Sequence, residues 1–162
     1  VYKRQDGDYP AFMERYTGKT YPQGNYLDQS GAIVGRHQGA VRYTIGQRKG
    51  LNLALGEPVY VCGKDMAANA VTVGPNSALF SSALRAEDWN WFPFDSLRSP
   101  QSCTAKIRHS QTETPAKVYP EETGFARVEF ESPLRAVTPG QAVVLYQGDL
   151  VLGGGTITEA LK

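Results

Sequence analysis

Along most of the chain, apolar positions recur every second residue in short runs, with glycine, proline and asparagine in the gaps. That texture predicts a mainly β protein, because side chains alternate between the two faces of a strand and turn residues separate the strands. Residues 32–34 and 40–44 are expected as two strands around the Arg36-His37-Gln38-Gly39 turn. Residues 58–64 and 70–73 are expected as a hairpin across 65–69, and residues 79–84 as a further strand. The longest helical spacing lies near the start. Tyr9, Phe12, Met13 and Tyr16, with Asp8 as a cap and Pro10 in the first turn, predict a helix of about two turns that Gly18 ends. Residues 86–91 are expected to form one helical turn.

Residues 93–101 hold prolines and serines without periodicity, which predicts a linker between a first domain over 1–92 and a second over 102–162. Past the linker the alternation is clear. Cys103, Ala105, Ile107 and His109 share one face of a strand, and Thr104, Lys106 and Arg108 the other. A hairpin follows over 116–119 and 125–130. Thr138-Pro139-Gly140-Gln141 then has proline and glycine where a type II turn wants them, ahead of a strand over 142–146. Gln147-Gly148 reverses the chain into 150–152, and the glycines at 153–155 precede a last strand over 156–158. Six short strands in so few residues predict a closed barrel, which removes exposed sheet edges. The expected architecture is therefore a small β-rich domain with a short N-terminal helix, followed by a six-stranded β-barrel.

Composition narrows the function classes. With 41% hydrophobic and 20% charged residues among 162, the chain is an ordinary globular one. It contains no apolar run long enough to span a membrane, and no secretory signal pattern marks its amino terminus. A net charge of +1 excludes a strongly basic coat, so any nucleic-acid binding has to come from local patches. Cations cluster at Arg36, Arg42, Arg48 and Lys49 and recur at Lys106 and Arg108, whereas acids concentrate at 87–88, 121–122 and 129–131. The two cysteines, Cys62 and Cys103, lie far apart without a CxxC partner, which predicts reduced, buried thiols and a cytoplasmic setting. The chain starts at Val1 without an initiator methionine and is expected to be the cut end of something longer.

Catalytic constellations are sparse. The sequence has two histidines, His37 and His109, and no HExxH, GxSxG or Walker-type loop. The glycines at 153–155 lack the following helix and lysine of a phosphate loop. His37 is expected as a turn residue, with RNA contact as the alternative. No catalytic or metal-ligating residue is assigned. The densest stretch is Tyr43-Thr44-Ile45-Gly46-Gln47-Arg48-Lys49-Gly50, where two glycines free the backbone and Gln47, Arg48 and Lys49 supply donors suited to phosphate oxygens or base edges.

That stretch, together with Asp6-Gly7-Asp8-Tyr9, Gly35-Arg36-His37-Gln38-Gly39, the strand from Cys103 to Arg108, Arg135-Ala136-Val137-Thr138-Pro139-Gly140-Gln141-Ala142 and Gly153-Gly154-Gly155, resembles the bacterial tRNA-specific 2-thiouridylases. The motifs stand in order and run from about Asp6 to the end. The resemblance implies an ATP-dependent thiolation of C2 of the wobble uridine of certain tRNAs. It also implies an N-terminal ATP-pyrophosphatase domain that is missing here, so that this chain corresponds to the central and C-terminal domains alone. ATP, with Mg, would bind in that missing domain and no cofactor in this chain. The family cysteines also fall outside it, and residues 1–5 depart from the family pattern, which leaves open whether they are native. The chain alone is thus expected to be inactive. Its implied partners are tRNA and, for the full-length enzyme, a sulfur-delivering protein, with neither DNA nor membrane involved. Arg108 and His109 match an Arg-aromatic pair implied to contact tRNA, with histidine in place of the usual tyrosine, and Gln141 matches another tRNA-contact position. Gln47, Arg48 and Lys49 would face RNA or brace the catalytic domain. A self-standing RNA-binding or translation-associated barrel module is the alternative.

Overall fold

The computed structural model describes residues 22–107 and 112–162. The expected helix over 9–16, the Asp6-Gly7-Asp8-Tyr9 motif, Arg108 and His109 lie outside the described residues. The chain divides into two compact units, one ending at Leu79 and one running from Phe80 to Lys162.

In the first unit, β1 (Gly24–Leu27), β2 (Ile33–His37), β3 (Tyr60–Asp65) and β4 (Ala70–Gly74) form one sheet in the order β2-β1-β4-β3. The β1–β2 and β3–β4 pairs are antiparallel, and β1–β4 is parallel. The β1–β2 reversal is built on Asp28, whose carboxylate accepts hydrogen bonds from the backbone N–H groups of Ser30 (2.9 Å) and Ala32 (3.0 Å). Gly31 supplies the positive φ (88°) that this turn needs. The expected hairpin over residues 58–73 forms as β3 and β4.

The strand expected over 40–44 does not form. Residues Ala40–Arg42 make a single 3-10 turn, and β2 extends through Arg36 to His37. The cause lies in where the backbone donors go. The N–H of Gly39 donates to His37 Nδ1 (2.9 Å) and that of Ala40 to Asn69 Oδ1 (3.0 Å), so side chains take the partners that a strand ladder would have supplied.

His37 is the centre of this arrangement. Its ring is 1% exposed and packs edge-on against Tyr26 and Tyr43, with centroids at 5.4 Å from each. Because Nδ1 accepts from Gly39, the ring proton sits on Nε2, which donates to the carbonyl of Asn69 at 2.9 Å. Both nitrogens are satisfied only in the neutral form. Tyr26 and Tyr43 complete the knot, with Tyr26 Oη donating to the Leu51 carbonyl (2.9 Å) and the Gln38 N–H donating to Tyr43 Oη (3.1 Å). Val61, Val71 and Val73 pack beneath.

The second unit is a closed antiparallel barrel. Its strands are β5 (Phe80–Trp91), β6 (Gln101–Lys106), β7 (Thr114–Pro120), β8 (Ala126–Arg135), β9 (Ala142–Gln147) and β10 (Leu150–Leu161), in the order β10-β5-β8-β7-β6-β9. The six-stranded barrel is as expected, but its membership differs. The two short strands expected at 150–152 and 156–158 are one continuous β10, and the sixth strand is β5, whose final residues, 86–91, replace the expected helical turn. Residues 93–101, expected as an interdomain linker, lie within the barrel unit, where they connect β5 to β6 and supply the first residue of β6. The β5 pattern is hard to read because the register slips between Ser81 and Ala83 and Asp88 has φ 55°, which breaks the simple alternation.

The glycines at 153–155 have a packing role. Gly153 pairs with Trp91 and Gly154 with Asn90 on β5, and the two indoles stack parallel at 4.6 Å. A Cβ on Gly153 would meet the Trp91 ring at 2.6 Å and the Asn90 carbonyl at 2.8 Å, and one on Gly155 would meet the Trp89 ring at 2.8 Å. Absent side chains on β10 make room for flat rings on β5.

Two outcomes follow. Gly153→Ala is expected to cost about 1–3 kcal/mol of barrel stability, read from urea unfolding by tryptophan fluorescence, since both tryptophans lie on β5; a wild-type midpoint would refute the packing argument. For His37, burial, reinforced by the Arg36 charge and opposed by the Asn69 bond, holds the pKa below its ordinary 6.5. A base with a depressed folded pKa stabilises the fold above its unfolded value and loses that contribution as pH falls. Amide protection in β1, β2 and β4, taken relative to the intrinsic exchange rate at each pH, is therefore expected to fall below about pH 6.5, and His37→Gln to flatten that dependence. An unchanged profile in the variant would remove His37 as the source.

Candidate nucleic-acid interface

The stretch from Tyr43 to Gly50 is a loop clipped to the outer edge of β3. Gly46 N–H donates to the Val61 carbonyl (2.7 Å), and Val61 N–H donates back to the Gln47 carbonyl (2.9 Å). Inside the loop, Gln47 Oε1 accepts from Thr44 N–H (3.0 Å) while its Nε2 donates to the Lys49 carbonyl (2.9 Å). Gly46 and Gly50 have φ values of 94° and 78°, so the loop needs glycine at both places. A third tie comes from Lys64, whose Nζ donates to the Tyr43 carbonyl at 2.7 Å and whose pKa burial holds below the usual lysine value. Nothing in the local sequence marks Lys64 as part of this loop; only the hairpin register brings it there.

The consequence is a division of labour within a single turn. Gln47, singled out for its amide, spends both amide atoms on the loop itself. Arg48 and Lys49 are exposed, and the side chain of neither makes a hydrogen bond or ion pair with another described residue. Between Ala40 and Lys64 the sequence carries Arg42, Arg48, Lys49 and Lys64 against one carboxylate, Glu57. His37, by contrast, is enclosed and has both nitrogens occupied, which makes it a framework residue.

On the barrel, Gln141 ends the Thr138-Pro139-Gly140-Gln141 turn. Gly140 has φ 90° and Gln141 N–H donates to the Thr138 carbonyl at 3.3 Å, as a type II turn requires. The turn is fastened to β10 by two bonds, Gly140 N–H to the Ile157 carbonyl and Ile157 N–H to the Gln141 carbonyl, both 2.8 Å. The Gln141 side chain is exposed on this rigid base. Lys106 pairs with Val144, so β6 ends at the rim where the Gln141 turn enters β9. Arg108 and His109, the other two expected contacts, follow that end of β6 and lie outside the described residues.

Two other barrel cations, Arg85 and Arg127, are committed elsewhere. Arg85 bonds to Glu121 (3.0 Å) and to Glu122, and Arg127 bonds to Glu121 (3.2 Å) and Glu129 (2.8 Å). Their guanidinium groups also lie over Phe125 and Tyr119, at 4.3 Å and 4.9 Å from the ring centroids. An open groove of about 620 Å³ nearby is lined by Glu87, Asp88, Asp95 and Glu122 around Trp89 and Trp91. Its charge is unfavourable for a polyanion, which points any phosphate backbone to other surfaces. The sequence shows these acids as separate runs; the fold brings the runs at 87–88 and 121–122 into one wall.

Thiol chemistry has little support. Cys103 faces the barrel core, and burial pushes its pKa up to about 11, so the nucleophilic thiolate is suppressed. Cys62 lies half-buried on β3 with its Sγ 3.5 Å from the Thr72 carbonyl. Among the described residues, no group of three or more His, Cys, Asp or Glu side chains is placed to hold a metal ion, and no helix is long and apolar enough to cross a membrane.

Two family profiles match the chain, one for each unit. Residues 10–75 match the tRNA methyl transferase PRC-barrel domain, and residues 81–157 match the aminomethyltransferase beta-barrel domain. The second match starts beside Phe80, where β5 begins. Curated relatives named tRNA-specific 2-thiouridylase MnmA include those of Acetivibrio thermocellus (47% identical, 94% of this chain and 42% of the relative), Heliobacterium modesticaldum (46%, 96% and 41%) and Roseiflexus sp. (49%, 94% and 41%). The chain therefore spans about two-fifths of the length of these relatives. With both domain profiles matched in sequence order and relatives of one name aligned along nearly all of it, the chain belongs to the tRNA-specific 2-thiouridylase family.

Proposed function

We propose that the two units form the tRNA-binding portion of a tRNA-uridine 2-sulfurtransferase, which thiolates C2 of the wobble uridine in an ATP-dependent reaction. The observation that carries this reading is the alignment of 94–96% of the chain with relatives named for that activity. In this reading ATP and Mg bind to the part of the relatives that the chain does not span. The nucleophilic sulfur chemistry belongs there too, a sulfur-delivering protein serves the full-length enzyme, and the setting is cytoplasmic.

Within this chain, tRNA is held by Arg48 and Lys49 on the first unit and by Arg108, His109 and Gln141 on the barrel, with Gln47 acting through the loop it braces. The physical support is that Arg48 and Lys49 project from a backbone fixed by three separate ties, so little conformational entropy remains to be lost from the loop on binding. A few such cations neutralise phosphates, and the amide of Gln141 adds a directional contact.

Binding of tRNA to the chain, followed by fluorescence anisotropy over a salt series, tests the reading. Wild type is expected to show a log–log salt dependence. Arg48→Ala with Lys49→Ala should flatten the slope by about 1–2 units, and Arg108→Ala should weaken binding by about 1 kcal/mol or somewhat more. Absence of tRNA binding at low salt would overturn the reading.

A further inference from the structure

Beside Arg48 the first unit carries an open groove of about 580 Å³, bounded by Leu51, Asn52, Leu53, Glu57, Pro58 and Val59. We infer that this groove is a nucleotide subsite: it takes one unpaired nucleotide of an RNA strand, with the phosphate on Arg48 and the base between the apolar walls. The inference rests on the RNA-binding reading above and names the part of the RNA that the first unit holds.

Four observations carry it. The volume falls in the range of sites that enclose small organic groups, about 300–1,000 Å³. The walls are firmly placed. Leu51 is buried and its carbonyl is held by Tyr26 Oη, while Leu53 packs so closely over β2 that a Cβ on Gly35 would lie 2.6 Å from its Cδ2. Leu53 and Val59 remain half-exposed, which leaves apolar surface for the face of a base.

The polar groups are few and convergent. Asn52 is exposed, sits in the left-handed region at φ 56°, and its amide makes no hydrogen bond with another described residue. An amide offers both a donor and an acceptor to a base edge, and Glu57 offers an acceptor to ring or exocyclic N–H groups.

Charge selects the occupant. Arg48 is the one cation lining the groove, Lys49 adjoins it in sequence, and Glu57 is the one carboxylate lining it. One cation and one carboxylate suit a single phosphodiester on Arg48 with a neutral base against the apolar walls, and they disfavour a polyphosphate. A base held in this way has to be unstacked, as in single-stranded loops and ends, where most sequence-specific RNA recognition takes place.

The test uses the 162-residue chain with tRNA and with short single-stranded RNAs carrying 5-iodouridine at single positions. Photocrosslinks are expected within the peptide spanning residues 51–59. Asn52→Gly keeps the left-handed backbone while deleting the amide, so the fold is preserved; it is expected to weaken RNA binding about fivefold with an unchanged salt slope. Arg48→Ala is expected to lower the slope by about one unit. If the chain binds tRNA with normal salt dependence, yet Asn52→Gly binds like wild type and no crosslink falls in 51–59, the subsite is wrong and the tRNA-binding reading stands. If no RNA binds at low salt, both fall together.

Discussion

Both nitrogens of a buried, neutral imidazole have to find partners, and the first unit is arranged around that requirement. His37 joins the end of β2 to the Asn69 corner before β4 through Nε2, and fixes the Gly39 backbone through Nδ1. Gly24 exists because of this contact, since a Cβ there would collide with both the His37 ring and the Asn69 carbonyl. Asn69 extends the network, with its side chain accepting from Ala40 and donating to Pro22. From this knot the chain leaves in a defined direction, through the 3-10 turn and Tyr43, into the loop that carries Arg48 and Lys49. The placement of two exposed cations thus depends on a ring that never meets solvent, and an unsatisfied nitrogen there would cost more than the bond itself is worth.

In the barrel the corresponding constraint is closure between the two longest strands. β5 and β10 must approach closely over their whole length while β5 presents two tryptophans, and only glycine on β10 permits both. The register shifts in the same strand pair, between Gly154 and Thr156 and between Ile157 and Glu159, supply the bending that closure demands. Ile157 also binds the Pro139-Gly140 turn through its backbone, so the strand that closes the barrel is the strand that fixes the base of Gln141. A loop feature and a core feature are therefore mechanically one.

How much of this was legible in the sequence depends on whether the deciding partner was local. The type II turn at 138–141 and the alternation of Cys103, Ala105 and Ile107 are local, and the structure reproduces them. The strand expected over 40–44 fails at its first residue, where the Ala40 N–H is captured by Asn69, 29 residues away, which no window of sequence displays. The β5 strand reads as a helical turn near Trp89 because bulges disturb the two-residue period on which the reading depends. At the candidate site, residue types reveal which donors exist, and not which are already spent. Gln47 and Arg48 look equally available in sequence, yet one is consumed by the loop and the other is not.

That distinction explains how a protein with a net charge of +1 can still present a surface suited to a polyanion. Net charge counts every guanidinium equally, whereas a ligand meets only those whose charge is unspent. On the barrel, Glu121, Glu122 and Glu129 hold Arg85 and Arg127 in a network of ion pairs, so these four short contacts leave neither guanidinium as an unpaired positive charge and the network as a whole slightly acidic. On the first unit, Arg48 and Lys49 have no such partners among the described residues, and the ties around them are made by backbone and amide groups and by a further cation, Lys64. The fold neutralises charge where the chain needs packing and leaves it exposed where the backbone is already rigid. Local potential then follows from which side chains are committed, and an almost neutral sequence is compatible with a strongly cationic loop.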